Sequence, residues 1–174
     1  FKYGKHKEII NESSYDHDGS LNWEDKYKYN NENQLIEKSS YLKGEGSEFI
    51  SHTFRYNSEK KLAKETSYYP DGTRSSDFIY SYTSDGKLVE EKFYDYNKNL
   101  TLKDQYKYNQ KDKLREWNLI DNNGDLINNF ESIAKKIYQY DRRGQIIDIE
   151  MSDENEIVVR KIIYKYGKDG RLVE

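Results

Sequence analysis

The chain has 174 residues, with 29 basic and 32 acidic side chains, a formal net charge of −3, 18 Tyr, one Pro and no Cys. Both signs are interspersed without a long single-sign run, so there is no electrostatic footprint for nucleic acid or an anionic membrane, and no apolar run approaches the ~18 residues of a membrane span. Disulfides and thiolate metal sites are excluded; Leu, Ile, Val and Phe total only 36 residues, so tyrosine rings must supply much of the apolar area.

In chain order, an aromatic-x-aromatic triplet recurs seven times: Phe1-Lys2-Tyr3, Tyr27-Lys28-Tyr29, Phe54-Arg55-Tyr56, Tyr80-Ser81-Tyr82, Tyr106-Lys107-Tyr108, Tyr138-Gln139-Tyr140 and Tyr164-Lys165-Tyr166. Six residues after each triplet comes Ile9, Leu35, Leu62, Leu88, Leu114, Ile146 or Leu172, and the triplets are spaced 26, 27, 26, 26, 32 and 26 residues apart. Rings at i and i+2 share one face of a strand, and a fixed period in this range marks a repeat architecture. Gly86, Gly144 and Gly170 stand four residues after the second ring, with Asn33 or Asp112 in their place elsewhere and Lys7 and Lys60 as poorer fits. That is the positive-φ slot of a short hairpin turn. A second turn falls half a period on, at Asp18-Gly19, Gly44-Glu45-Gly46, Pro70-Asp71-Gly72, Asn97-Lys98-Asn99 and Asn122-Asn123-Gly124. Two turns per repeat predict an all-β antiparallel meander of about 13 strands. It is read as a single repeat domain over 1–174, with units starting near 1, 27, 54, 80, 106, 138 and 164: six two-strand hairpin repeats of 26 residues plus a partial seventh. Accumulated strand twist would curl such a sheet into a superhelical strip.

The structural ladder predicted for one face comprises Tyr27, Tyr29, Tyr56, Tyr80, Tyr82, Tyr106, Tyr108, Tyr138, Tyr140, Tyr164 and Tyr166, with Leu35, Leu62, Leu88, Leu114, Ile146 and Leu172. Simple alternation sets Tyr29 across from Leu35 and Tyr27 across from Glu37, and places Tyr15, Tyr41, Tyr68 and Tyr94 on the same face. The middle residues Lys2, Lys28, Arg55, Lys107 and Lys165 point the other way and discourage edge pairing. An acidic column (Glu37, Glu90, Glu116, Asp148, Glu174) falls two residues after each template Leu or Ile, and the same alternation puts it on the ring face, where tyrosine hydroxyls would bond to it. Paired carboxylates could serve glycoside hydrolysis or a calcium row, but catalysis needs one distinctive pair and these recur evenly. His6, His17 and His52 have no zinc spacing, and His6 and His17 fall in predicted turns. Asp16-His17-Asp18-Gly19 reads as a turn, because it lacks the remaining ligands of a calcium loop. No catalytic residue, metal site or cofactor is therefore expected, and the chain is read as a non-enzyme.

The unit between Tyr106 and Tyr138 is six residues too long, with the excess within 122–134. Insertions in repeat arrays map to loops, which often carry recognition. Four aromatics are candidate binding residues: Phe130 in the insertion, Trp117 beside it on the parity opposite to the rings and so expected to be exposed, and Tyr69 and Tyr96, which the template leaves over. Trp23 keeps the parity of Tyr27 and is expected in the core.

The stretch Gly72 to Leu88, with Tyr80-x-Tyr82 and Gly86-Lys87-Leu88, resembles the YD repeat of the RHS family, as do Tyr138-Gln139-Tyr140-Asp141-Arg142-Arg143-Gly144 and Gly170-Arg171-Leu172. The likeness spans nearly the whole chain, although Asn30, Asn57 and Asn109 stand where the family has Asp. The resemblance implies β-hairpins in a spiralling strip, which in large polymorphic toxins closes into a shell around a toxin domain. The first expectation is a non-catalytic interaction module, exported, cell-surface or periplasmic, binding a protein or carbohydrate through a curved Tyr-rich sheet. The alternative is a structural strip of a larger RHS-like shell or fibre, joined by edge-strand self-association. Because Phe1 opens inside a repeat, the sequence reads as a mature form or a cut-out segment.

Overall fold

The computed structural model describes residues 1–173 and contains thirteen strands: β1 (Lys2–Tyr3), β2 (Ile9–Tyr15), β3 (Leu21–Tyr29), β4 (Leu35–Leu42), β5 (Phe49–Tyr56), β6 (Leu62–Tyr68), β7 (Arg74–Tyr82), β8 (Leu88–Tyr94), β9 (Leu100–Tyr108), β10 (Leu114–Ile120), β11 (Lys135–Tyr140), β12 (Ile146–Ser152) and β13 (Val158–Ile163). They form one open antiparallel sheet whose spatial order is the chain order. By contacts the chain divides into two compact units: 1–79 with 94–99, and 80–93 with 100–173.

Eleven of the predicted turn positions, and two further positions at 129–133 and 153–157, use a single five-residue device. The first residue's N–H donates to the carbonyl of the fifth, and the fourth residue's N–H donates back to the carbonyl of the first, as at Asn30–Gln34, Asn57–Lys61, Asp95–Asn99 and Asp141–Gln145. Where the first residue is Asn or Asp, Asp16 excepted, its side-chain oxygen also accepts the N–H of the third and fifth residues, as Asn57 Oδ1 does from Glu59 and Lys61; in the turn 16–20 the Ser20 N–H goes to Asp18 instead. The fourth residue always has positive φ: glycine at 19, 72, 86, 124, 144 and 170, and Lys7, Asn33, Lys60, Lys98, Asp112, Ser132 and Glu156 elsewhere. The turn at 43–48 departs from this pattern and carries Gly44 and Gly46 at positive φ instead.

The turns after five of the triplets, those ending at Tyr3, Tyr29, Tyr56, Tyr108 and Tyr140, feed a β-bulge. Tyr29 stands opposite Leu35, as alternation predicts, but Lys28 pairs with Glu37 and Tyr27 with Lys38, so Ile36 is the extra residue. The same slip separates Tyr108–Leu114 from Lys107–Glu116, Tyr56–Leu62 from Arg55–Lys64, and Tyr140–Ile146 from Gln139–Asp148. A bulge inserts one residue and reverses the facing of everything beyond it. Glu37, Glu116 and Asp148 of the acidic column therefore lie opposite to the ring face, contrary to the alternation expectation; Glu174 is outside the described residues. Tyr41 pairs with Glu24 and Tyr68 with Arg74, which moves both to that opposite face as well.

The second ring of the triplet locks one repeat to the one before it. The hydroxyls of Tyr29, Tyr56, Tyr108, Tyr140 and Tyr166 donate to the backbone carbonyls of Ile9, Leu35, Leu88, Leu114 and Ile146 at 2.8, 2.8, 2.8, 2.7 and 2.8 Å. Backbone pairing to the following strand starts only two residues later, at Asn11–Lys26, Glu37–Thr53 and Glu116–Ile137, so these carbonyls would otherwise lack a donor. Tyr108→Phe is expected to keep the ring packing and cost about 0.5–1.5 kcal/mol, because the carbonyl of Leu88 loses its partner. Urea denaturation of the variant checks this, and an unchanged midpoint would deny the hydroxyl its role.

Candidate functional site

Two of the triplets' middle residues, Lys28 and Lys107, form charge pairs on the face opposite the rings. Lys107 Nζ lies 2.7 Å from Glu116 and Lys28 Nζ 3.8 Å from Glu37, while Lys161 reaches Asp148 at 2.9 Å and Glu150 at 3.4 Å. Burial would raise the Glu116 carboxyl, but hydrogen bonds from Lys107 and Asn118 outweigh it and hold the group below its usual range. The recurring carboxylates are thus neutralised by lysines rather than bonded to tyrosine hydroxyls. Among the ring hydroxyls, that of Tyr27 approaches a carboxylate, Glu12, at 3.4 Å. No group of three or more His, Asp or Glu that could hold a metal occurs among the described residues.

On the ring face, a second row joins the residue two before the triplet to the residue three after the template Leu. The pair is Asp25 with Lys38 at 2.7 Å in one repeat and His52 with Glu65 at 4.0 Å in the next. In the second unit it becomes Asp104 with Trp117, whose Nε1 donates to Asp104 Oδ1 at 2.6 Å. Trp117 lies directly across from Tyr106 and Lys136, with Lys136 Nζ 5.2 Å from its ring. It is half-buried, which corrects the expectation of an exposed indole. The bulge after Leu114 is the reason, because it turns Trp117 to the ring face. Burial pushes the Asp104 carboxyl up against the pull of the indole N–H, and burial beside Asp104 and Glu91 pushes Tyr106 to about 12.

The insertion is ordered by the same turn chemistry. Asp121–Asp125 and Asn129–Ile133 form two successive five-residue turns. Backbone bonds from Ile127 to Leu119, Leu119 to Ala134 and Ala134 to Ser152 fold the segment back onto the strand ends, and Asn128 Oδ1 accepts the N–H of Glu154. The buried hydrophobic residues are gathered here: Ile133 at 1% exposure and Ala134 at 0%, with Leu119, Ile120 and Met151. The extra residues thus supply the one apolar nucleus in an otherwise half-buried sheet. Phe130 sits at the second position of its turn and is 97% exposed.

Tyr69 and Tyr96 are exposed, at the first position of the turn 69–73 and the second of 95–99. Arg74 ties those turns together, donating to Asp77 at 3.0 Å and to the carbonyls of Asp95 and Tyr96 at 2.6 and 2.9 Å. Trp23 is half-buried, paired with Ser14 and Leu42. Of the ladder, Tyr27, Tyr80, Tyr82, Tyr138 and Tyr164 and the template Leu62 and Leu88 are also half-buried, and Leu172 is exposed. His52 was not singled out by its sequence context, although its place two residues before Phe54 matches that of Asp25 before Tyr27. Its ring stacks on Phe54, with centroids 6.3 Å apart, and its Nδ1 is buried without a hydrogen-bond partner.

No family model and no curated protein matches the chain in sequence. In three dimensions it is similar to a chain in the structure of the Photorhabdus luminescens Tc holotoxin pore carrying a TccC3 mutation, with a TM-score of 0.62 and 16% identity over 93% of this chain and 8% of that one. It is also similar to the TcdB2-TccC3-Cdc42 structure, with a TM-score of 0.53 and 15% identity, and to the TcdB2-TccC3 structure, with a TM-score of 0.52 and 16% identity; each match covers 94% of this chain and 10% of the other. The likeness is one of fold, and this chain corresponds to a tenth or less of each toxin chain's length.

Trp117→Ala is expected to destabilise the protein by about 2–3 kcal/mol through lost ring area and an orphaned Asp104. Trp117→Phe should raise the Asp104 pKa further, since the indole donor is gone; carboxyl-detected NMR titration reads this. His52 has its pKa lowered by burial, with Lys38 acting in the same sense and Glu65 and Asp25 opposing. A lowered imidazole pKa means the unfolded chain takes the proton first, so stability falls as pH drops below about 6.5 toward the folded pKa and the penalty is constant below that. Urea midpoints between about pH 7.5 and pH 5 should therefore drop more for the wild type than for His52→Gln. Parallel curves would rule this out.

Proposed function

We propose that the chain is a structural strip of YD/RHS-type hairpin repeats, exported and acting as part of the wall of a larger shell or fibre built with protein partners, without catalysis of its own. The observation that carries this reading is coverage: 93% of the chain follows, at a TM-score of 0.62, a stretch that makes up 8% of a Tc holotoxin chain. Uniformity supports it. Thirteen turns repeat one device, five tyrosine hydroxyls repeat one bond, and the recurring carboxylates are paired with lysine rather than poised for acid–base work. Such regularity suits a surface that extends by addition of like units. Native mass spectrometry over rising concentration tests the proposal: edge-joined oligomers whose population grows with concentration are expected, and a chain that stays monomeric throughout would overturn self-association as the basis of the strip.

A further inference from the structure

We propose a binding site for an aryl phosphate in the second unit, between the turns 109–113 and 141–145, built around Arg115. At the bulges that follow the triplets, the extra residue is Ile10, Ile36, Ala63 and Ile147 in four repeats and Arg115 in the fifth. A bulge re-aims the side chain it inserts, so a guanidinium stands where the other bulges hold an aliphatic group. Arg115 is exposed and makes no hydrogen bond or ion pair with any described residue. It lines a cavity of about 590 Å³ together with Tyr108, Lys111, Tyr138, Tyr140 and Asp141. This lies within the size range of small-ligand sites. The corresponding place in the first unit holds a cavity of about 520 Å³ lined by Tyr27 and Tyr29, but there the bulge residue is Ile10. The lysine in its wall, Lys28, is paired with Glu37. The cavity therefore belongs to the repeat, and the unpaired guanidinium belongs to one copy of it.

The lining specifies the ligand class. Arg115 presents a planar fork of donors that matches two oxygens of a phosphate. Lys111, in the turn, supplies a second cation, and its ammonium has no partner among the described residues. Asp141 is the carboxylate of the lining, and its Oδ1 is taken by the N–H groups of Arg143 and Gln145. Two cations thus stand against one anion, which favours a negatively charged occupant. The hydroxyls of Tyr108 and Tyr140 are committed to the carbonyls of Leu88 and Leu114, so these residues offer ring surface rather than donors. The Tyr138 hydroxyl has no partner among the described residues. Burial raises its pKa, with Tyr140 adding to the effect, so it keeps a proton to donate. Two cations and a hydroxyl donor suit a dianion with three free oxygens, and the tyrosine rings pack against a flat aromatic group. A neutral ring would leave the guanidinium without an acceptor, and a bare anion would leave the ring surface wet.

The site does not depend on the strip reading, and its test does not read oligomeric state. Amide NMR spectra of the full chain are titrated with phenyl phosphate, and separately with inorganic phosphate and benzyl alcohol to probe charge and ring alone. Saturable shifts at Lys111, Arg115, Tyr138 and Tyr140 are expected with phenyl phosphate, with a dissociation constant of about 0.1–5 mM and no matching shifts around Ile10. Arg115→Ile installs the residue type of the other bulges, so the rest of the spectrum should stay in place while binding weakens at least about tenfold. Lys111→Gln, at an exposed turn position, should weaken it about threefold. Absence of saturable shifts with phenyl phosphate would overturn the proposal. So would an affinity that Arg115→Ile leaves unchanged, or phenyl phosphate binding no tighter than inorganic phosphate or benzyl alcohol.

Discussion

The carbonyl of one residue per repeat sets the constraint on which the sheet depends. After each triplet turn the template Leu or Ile enters its strand two residues before the following strand begins to pair with it, so its carbonyl faces that strand with no backbone donor. A half-buried carbonyl left in that state costs a large part of a hydrogen bond. The tyrosine hydroxyl of the next repeat closes the gap at 2.7–2.8 Å. Phenylalanine would pack equally well and leave the gap open, which explains why the second ring of all seven triplets is Tyr while the first is Phe in two of them. Burial raises the hydroxyl pKa at Tyr29, Tyr56 and Tyr140, which keeps the donating proton in place.

The same hairpins carry a bulge, and the bulge divides the labour between faces. On one side are the rings, with the row that runs Asp25–Lys38, His52–Glu65 and Asp104–Trp117. On the other, lysines and carboxylates neutralise one another in register. With no helix and no second sheet among the described residues, few side chains can be fully buried, and stability rests on many half-buried contacts and on the turns. The insertion between β10 and β11 compensates locally by folding Ile133 and Ala134 against Leu119, Ile120 and Met151.

Regular stretches and departures from them therefore have different roles. The regular part gives a surface that resembles a short stretch of the Tc toxin chains in fold. Departures are confined to few places: the glycine-rich turn at 43–48, the proline turn at 69–73, the tryptophan in the charge row and the extra turn ending in Ile133. Each gives the sheet a feature that its neighbouring repeats lack, and specific recognition requires such features.

The sequence by itself determined the strand count, their order, every turn but those at 129–133 and 153–157, and the pairing of Tyr29 with Leu35, because spacing and turn chemistry are local and recur in phase. Positive φ was legible wherever Gly, Asn or Asp marked it, and even Lys7 and Lys60 were placed by period alone. Facing beyond each turn was not legible. One extra residue at the bulge reverses parity, and nothing in the composition of Ile36 or Arg115 announces it, so Glu37, Tyr41, Tyr68 and Trp117 were all assigned to the wrong side. The role of the tyrosine hydroxyl, the burial of the insertion and the cavity beside Arg115 likewise emerged only in three dimensions. Each depends on which groups a neighbouring strand leaves unpaired, a property of register between segments about a repeat apart rather than of any one segment.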